Sequence, residues 1–334
     1  MKLGRQTIKT EKDVKIISSA TVAGTKEQEG RLKGRFDILM DDGYYNEKTW
    51  EKAETKMQFE AANAAVSKAG ISLDDIDISF AGDLLNQCTA TGYCFRGLNV
   101  PFCGLYGACS TMALSLSMGM MAVGGGFAKY ALCGTSSHFC SSEKQFRMPL
   151  AYGGQRPPTA QRTVTGSGMT VLSPEGMGPV VTEATIGKIT DKGIKDGMNM
   201  GAAMAPAAAD TIMAHFNDTG KSPEFYDLIV TGDLGELGYE ITCDILKKNG
   251  FKTNNYNDCG IMIFDSKKQD THCGGSGCGC SALVLCAYIL DEMSKGSINN
   301  VLFVGTGALM SPLTTQQGES IPAIAHAVAI SNGR

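Results

Sequence analysis

Gly107-Ala-Cys-Ser-Thr-Met-Ala-Leu-Ser-Leu116 and Cys278-Gly-Cys-Ser-Ala-Leu-Val-Leu-Cys-Ala287 align without a gap, and the match continues into Ala131-Leu-Cys-Gly-Thr135 and Leu302-Phe-Val-Gly-Thr306. Cys109 falls on Cys280, Ser110 on Ser281, Gly134 on Gly305 and Thr135 on Thr306. Each copy reads as a small-residue turn, an apolar run of helical length, a glycine-bearing break and a short apolar strand. A second pair precedes it: Asp77-Ile-Ser-Phe-Ala-Gly-Asp-Leu84 matches Asp227-Leu-Ile-Val-Thr-Gly-Asp-Leu234. Ala-rich helical stretches lie upstream, over 59–69 and 205–216, and closing strands lie downstream, over 165–173 and 323–331. Matches in the same order predict a duplicated α/β half, with an N-terminal half over 1–180 and a C-terminal half over 181–334. The polar 188–199 segment reads as the crossover.

The 334 residues are 43% apolar and 19% charged, enough for a large core. Thirty basic and 34 acidic residues leave a net charge of -4 with no basic run, so no nucleic-acid partner is expected. No apolar leader opens the sequence, and the weakly polar run Met112 to Val123 is shorter than the ~20 residues of a membrane span, so synthesis and residence in the cytoplasm are expected. Twelve scattered cysteines in such a chain are expected to be reduced thiols.

Cys109 sits where the first copy turns into its helix. A helix start presents free N–H groups and the positive end of the dipole, which stabilises a thiolate and predicts a lowered pKa. Packing alone also explains a small buried residue there. Two equivalent helix starts facing one another would share a pocket between the halves.

The Gly107-Ala-Cys-Ser turn and the Gly166-Ser-Gly168 strand resemble the thiolase superfamily of thiolases and ketoacyl synthases. Gly34-Arg-Phe-Asp37 to Trp50, Gly134-Thr-Ser-Ser-His138, Gln145-Phe-Arg147 and Tyr152-Gly-Gly-Gln-Arg-Pro157 through Thr165 more closely resemble its stage V sporulation branch. The resemblance implies a five-layered thiolase-like α/β fold, often a homodimer, that binds dipicolinic acid (pyridine-2,6-dicarboxylate) and takes part in loading it into the forming spore. It also implies partners among the stage V sporulation A membrane proteins and peripheral association with the spore inner membrane through them.

Condensing members of that superfamily bring a His and a second His or Asn to the thiolate. Here Thr231-Gly-Asp-Leu-Gly235 and Cys278-Gly-Cys280 stand at those places, which favours binding over catalysis. An acyltransferase using Cys109, with His138 or Asp233 as base, is the alternative, and a scaffold docking on membrane proteins is a third reading.

A planar dicarboxylate calls for backbone donors, a cationic fork and an apolar wall. The 143–168 stretch, read as a loop from its Pro157-Pro158 pair, offers Arg147, Arg156 and Arg162 with Phe146 and Tyr152, and Arg147 is the preferred cation. Ser137 and His138 follow the strand ending near Gly134, on the expected side of the Cys109 turn. The Gly82 and Gly232 turns add Asn86 and Asp233, although Asp83 and Asp233 also suit turn caps. The ligand set is thus Cys109, Ser137, His138, Arg147, Asn86 and Asp233. No cofactor or resident metal is expected; calcium enters only as a chelate of the ligand, bridged to Asp233 or Glu236. His272 beside Cys273 could start a metal clip, but Cys278-Gly-Cys280 is already explained as the second helix start.

Overall fold

A computed structural model describes residues 1–146, 155–252 and 254–333. Two strand runs build it. The first comprises β1 (Lys15–Ala23), β2 (Ile78–Gly82), β3 (Phe102–Gly104), β4 (Ala131–Ser137) and β5 (Gly166–Ser173). The second comprises β6 (Val180–Thr185), β7 (Leu228–Thr231), β8 (Tyr256–Asp258), β9 (Asn300–Ala308) and β10 (Ala323–Ser331). Their spatial orders are β3-β2-β4-β5-β1 and β8-β7-β9-β10-β6, the same order twice. In both, the first two pairings are parallel and the last two antiparallel. A register shift falls in the equivalent final pairing of each run, at Ile16/Ser18 and at Ala329/Ile330. Lys15 pairs with Val180 to join the runs edge to edge.

Helices fill the spaces in the same pattern. The first run carries α1 (Trp50–Lys68), α2 (Thr89–Leu98) and α3 (Thr111–Gly124). The second carries α4 (Met200–Thr219), α5 (Gly235–Lys248) and α6, which starts as Cys278–Val284 and continues through Leu285–Ile289 and Leu290–Ser294. α3 packs on both β4 and β9, and α6 on β5 and β9, so these two helices form the middle layer. α1 covers β1 and β5 from outside, and α4 covers β9 and β10, which gives five layers.

Period-two alternation sorts strand residues between the layers. In β9, Val301 and Phe303 point into the central core with Met112, Leu116 and Leu283, while Leu302 and Val304 face Met204 and Ala208 of α4. In β4, Ala131 and Cys133 face the center and Leu132 faces Met57 and Ala61 of α1. Each large side chain buried this way contributes about 1.5–3 kcal/mol. The middle helices are apolar on all sides because both their faces meet a sheet.

The closing strand over 323–331 lies where the alternation places it, and the other begins one residue later, at Gly166. α1 begins at Trp50, well before the expected residue 59, because Thr49 caps it by accepting from the Lys52 N–H and because Glu54 and Gln58 are buried polar residues that interrupt the apolar pattern. The stretch expected as a loop from residue 143 starts inside a helix, Phe139–Phe146. The 27–50 segment wraps the first run: Asp37 accepts from the Thr21 N–H, and Arg35 pairs with Asp291 and Glu292 of α6. All twelve cysteines are free thiols. Among the described residues no helix is long and apolar enough to cross a membrane.

Candidate functional site

The turn entering α3 is held by its own hydroxyls. Ser110 Oγ donates to the Gly107 carbonyl at 2.7 Å and Thr111 Oγ1 to the Ala108 carbonyl at 2.7 Å. Ala108 is forced to a positive φ of 48°, a conformation that costs on the order of 1 kcal/mol for a residue with a side chain. That strain presents Cys109 toward the second run. β9 reaches the turn only because Gly307 lacks a side chain: a Cβ there would lie 2.4 Å from the Gly107 carbonyl oxygen.

Asp233 meets Cys109 from the turn between β7 and α5. Its carboxylate lies beside the Cys109 thiol and accepts from Thr306 Oγ1 at 2.7 Å and from the Gly277 N–H at 2.8 Å. The turn that carries it is fixed by Asp258, which accepts from the Leu234 and Gly235 N–H groups at 2.9 Å each. Gln161 Nε2 ties the Asp233 carbonyl, at 2.6 Å, to that of Gly275, at 2.8 Å. Burial pushes the Asp233 carboxyl up to about 6, against the pull of its donors.

The expected stabilised thiolate is not what this arrangement holds. Burial, and then the adjacent Asp233 charge, push the Cys109 thiol well above its ordinary pKa. A helix N-terminus is worth less than loss of solvent plus an adjacent anionic neighbour. Cys109 is therefore a neutral thiol.

The cavity beside it has a volume of about 40 Å³, with Leu84, Tyr106, Phe146, Met200 and Met310 as its larger apolar walls and Ser142, Glu143, Thr163 and Ser276 as its polar ones. Cys278 packs with Cys109, Leu84 and Phe146, and its thiol donates to the Ser136 carbonyl at 2.9 Å. A wider recess of about 340 Å³ adjoins it, lined by Asn86, Gln87, Cys88, Leu309 and Ser311 together with Tyr106, Phe146 and Met310.

The structure thus brings Cys109 and Asp233 into contact and places Asn86 in the outer recess. Ser137 lies beneath the site, donating to the Val164 carbonyl at 2.7 Å and accepting from the Gly279 N–H at 3.0 Å. His138 turns away from it: one ring nitrogen bonds the Gly43 carbonyl at 2.8 Å, the other accepts from the Cys140 N–H at 3.2 Å, and burial lowers its pKa to about 4. Arg147 and Tyr152 lie outside the described residues. Arg156 donates to the Gln161 and Asp270 carbonyls, and Arg162 stacks 3.9 Å over the Phe139 ring. Asp83, the counterpart of Asp233, holds its own turn by accepting from the Leu85 and Thr91 N–H groups. Glu236 is exposed and accepts from Ser266, whereas Asp233 is buried.

The other histidines are engaged elsewhere, His215 with Thr185 and Tyr226, His272 with Asp270, and His326 with the Gly187 N–H. Among the described residues no three His, Cys, Asp or Glu side chains form a metal-holding group. The sequence reading missed Glu143, Thr163 and Ser276 in the cavity wall. Thr163 and Ser276 become neighbours through the parallel pairing of 162–163 with 275–276, a long-range contact with no local pattern.

The family model described as stage V sporulation protein AD matches residues 4–331. The stage V sporulation protein AD of Bacillus subtilis strain 168 is 47% identical over 330 residues, covering 98% of this chain and 97% of that protein. Human mitochondrial 3-ketoacyl-CoA thiolase, solved with CoA, superposes with a TM-score of 0.59 at 12% identity, covering 98% of this chain and 100% of that one. The 3-oxoacyl-[acyl-carrier-protein] synthase III of Aquifex aeolicus VF5 superposes with a TM-score of 0.58 at 13% identity, covering 95% and 99%. At such identities these two structures show the fold alone, which is thiolase-like.

Proposed function

The chain belongs to the stage V sporulation protein AD family, and on that premise we propose that it is a non-catalytic receptor for dipicolinic acid, or its calcium chelate, that takes part in uptake into the developing spore. The observation that carries this reading is the Cys109–Asp233 pairing. A condensing enzyme surrounds its cysteine with groups that favour the thiolate and then serve the enolate. Here the neighbour is a carboxylate that favours the thiol, and the four histidines are all engaged away from the cavity. What remains is a mainly apolar pocket with a few polar groups in its wall, suited to holding a small planar acid.

Arg147 follows Phe146 of the cavity wall directly in the chain and is the proposed cation for a ligand carboxylate. Its Ala variant is expected to weaken binding by about 1.5–3 kcal/mol, the range for a hydrogen bond to a charged group. Cys109→Ala is expected to weaken it only modestly. Assembly with stage V sporulation A membrane proteins would bring the chain to the spore inner membrane, and a homodimer is the proposed solution state.

Calorimetric titration of the reduced protein with dipicolinate, with and without calcium and against benzoate, tests the reading. Saturable heat selective for the dicarboxylate is expected. Absence of binding by the folded protein overturns it and leaves acyl transfer, for which a Cys109 adduct in intact-mass spectra after incubation with acyl-CoA is the marker.

A further inference from the structure

The space beside Cys109 is divided. The inner compartment, about 40 Å³, has room for roughly three waters, each needing about 10–15 Å³ of such space, and is too small for a ringed acid. The outer recess, about 340 Å³, is within the range of small-molecule pockets, roughly 300–1,000 Å³. Tyr106, Phe146 and Met310 line both, so the two spaces meet at these side chains. Tyr106 sits on the connection between β3 and α3 and is half exposed, and Phe146 is packed with Leu84, Cys109 and Cys278. Met310 follows β9 on the connection to β10, and an unbranched thioether has more rotamers available than either ring.

The inner wall also carries an unmet hydrogen-bonding group. Ser142 lies on the Phe139–Phe146 helix, is 2% exposed and lines the inner compartment, yet its Oγ has no hydrogen-bond partner among the described residues. A buried hydroxyl left unpaired costs about 1–3 kcal/mol, so the group is stabilised when a polar ligand atom arrives. The neighbouring hydroxyls are already occupied, Thr163 with Glu143 and Ser276 with Asp233. Ser311 and Asn86 supply polar groups at the far side of the partition.

We propose that the two compartments are one ligand site, which a single-ring acid with two polar ends spans by displacing Met310, seating one end on Ser142 Oγ beside Cys109 and leaving the other in the recess toward Asn86 and Ser311. The dicarboxylate identity of the ligand rests on the function proposed above; the partition and the Ser142 contact rest on the cavity itself.

The test labels thiols with N-ethylmaleimide and reads each cysteine by peptide mass spectrometry, in the wild type, Met310→Ala and Ser142→Ala. Met310→Ala is expected to raise Cys109 labelling about tenfold, the gain when an open form populated at roughly a tenth becomes dominant. Cys88, already in the recess, and Cys133, in the core, serve as references. Unchanged Cys109 labelling overturns the partition, and so does a rise shared with Cys133, which reports general loosening. Should Met310→Ala not fold, Tyr106→Ala is read the same way.

Dipicolinate is then added. Protection of Cys109 in the wild type, with an affinity about tenfold to a hundredfold lower in Ser142→Ala, is expected from loss of a hydrogen bond to a charged group. Ser142→Ala should keep or gain thermal stability, since it removes an unpaired hydroxyl; a loss of stability at unchanged affinity overturns the Ser142 contact. No dipicolinate effect on any protein, with the Met310→Ala labelling gain intact, overturns the proposed ligand and leaves the partition standing.

Discussion

The buried Asp233 carboxylate sits beside the buried Cys109 thiol across the boundary between the two strand runs, and its charge adds to burial in holding that thiol protonated. The consequence is testable through reactivity. Asp233→Asn removes the charge that helps to hold the thiol protonated while keeping an acceptor oxygen in place. Cys109 alkylation is expected to begin at lower pH in this variant than in the wild type. Coincident pH profiles would show that burial alone sets the thiol.

Glu27 gives a second prediction. It is buried, with Oε1 accepting from the Thr165 N–H at 3.0 Å and Oε2 without a partner, and burial raises its pKa from 4.5 to about 7. A raised carboxyl binds its proton more tightly in the folded chain, so its stabilisation is complete below pH 4.5 and is lost as pH rises through 7. The stability of the wild type relative to Glu27→Gln is expected to fall by about 3 kcal/mol between pH 4.5 and 7, at about 1.4 kcal/mol per pKa unit. Taking the difference cancels the opposite slope from His138, His215 and His326, whose pKa values burial lowers to about 4. Denaturant titrations at several pH values check it, and a pH-independent difference refutes it.

Gly307→Ala places a Cβ 2.4 Å from the Gly107 carbonyl oxygen and 3.1 Å from the Ser110 nitrogen, both backbone atoms of the Cys109 turn. A loss of about 1–3 kcal/mol in denaturant stability is expected, as for other overpacked interiors. The same variant should weaken ligand binding, because the turn cannot shift without moving Cys109.

His138→Ala separates support from contact. The ring anchors the Gly43 carbonyl, so thermal stability is expected to drop, by about 1–3 kcal/mol for the carbonyl left unpaired. Dipicolinate affinity per folded molecule should be unchanged. A selective loss of affinity in calorimetry would return His138 to the site.

Much of this architecture was legible because it is written twice. The 171-residue offset between Cys109 and Cys280 locates both middle helices, and alternation in 131–135 and 302–306 locates the strands beside them. The site was legible only where a turn residue carries it, as for Cys109 and Asp233. His138 shows the limit: its position after β4 indicates the correct end of the sheet, but the direction of its ring is decided by Gly43, which is distant in sequence. Thr163, Ser276 and Met310 are brought to the cavity by strand pairing and connection geometry, for which local periodicity holds no trace. The Cys109 pKa was misjudged for a related reason. The helix start is local and visible, whereas the burial and the carboxylate that outweigh it come from the other half of the chain.

The two-sided packing of α3 has a consequence for how the molecule is made. One face of the helix meets β4 and β2 of its own run, while the other waits for β9 and β10. Ala308, the end of β9, follows Gly124, the end of α3, by 184 residues. At translation rates of about 5–20 residues per second that interval is roughly 10–40 s. Throughout it the nascent chain carries an almost wholly apolar helix with half its surface uncovered. Nascent-chain holding factors have their natural substrate in that window, and a ribosome stalled between these two positions would release an aggregation-prone fragment in place of an independent half.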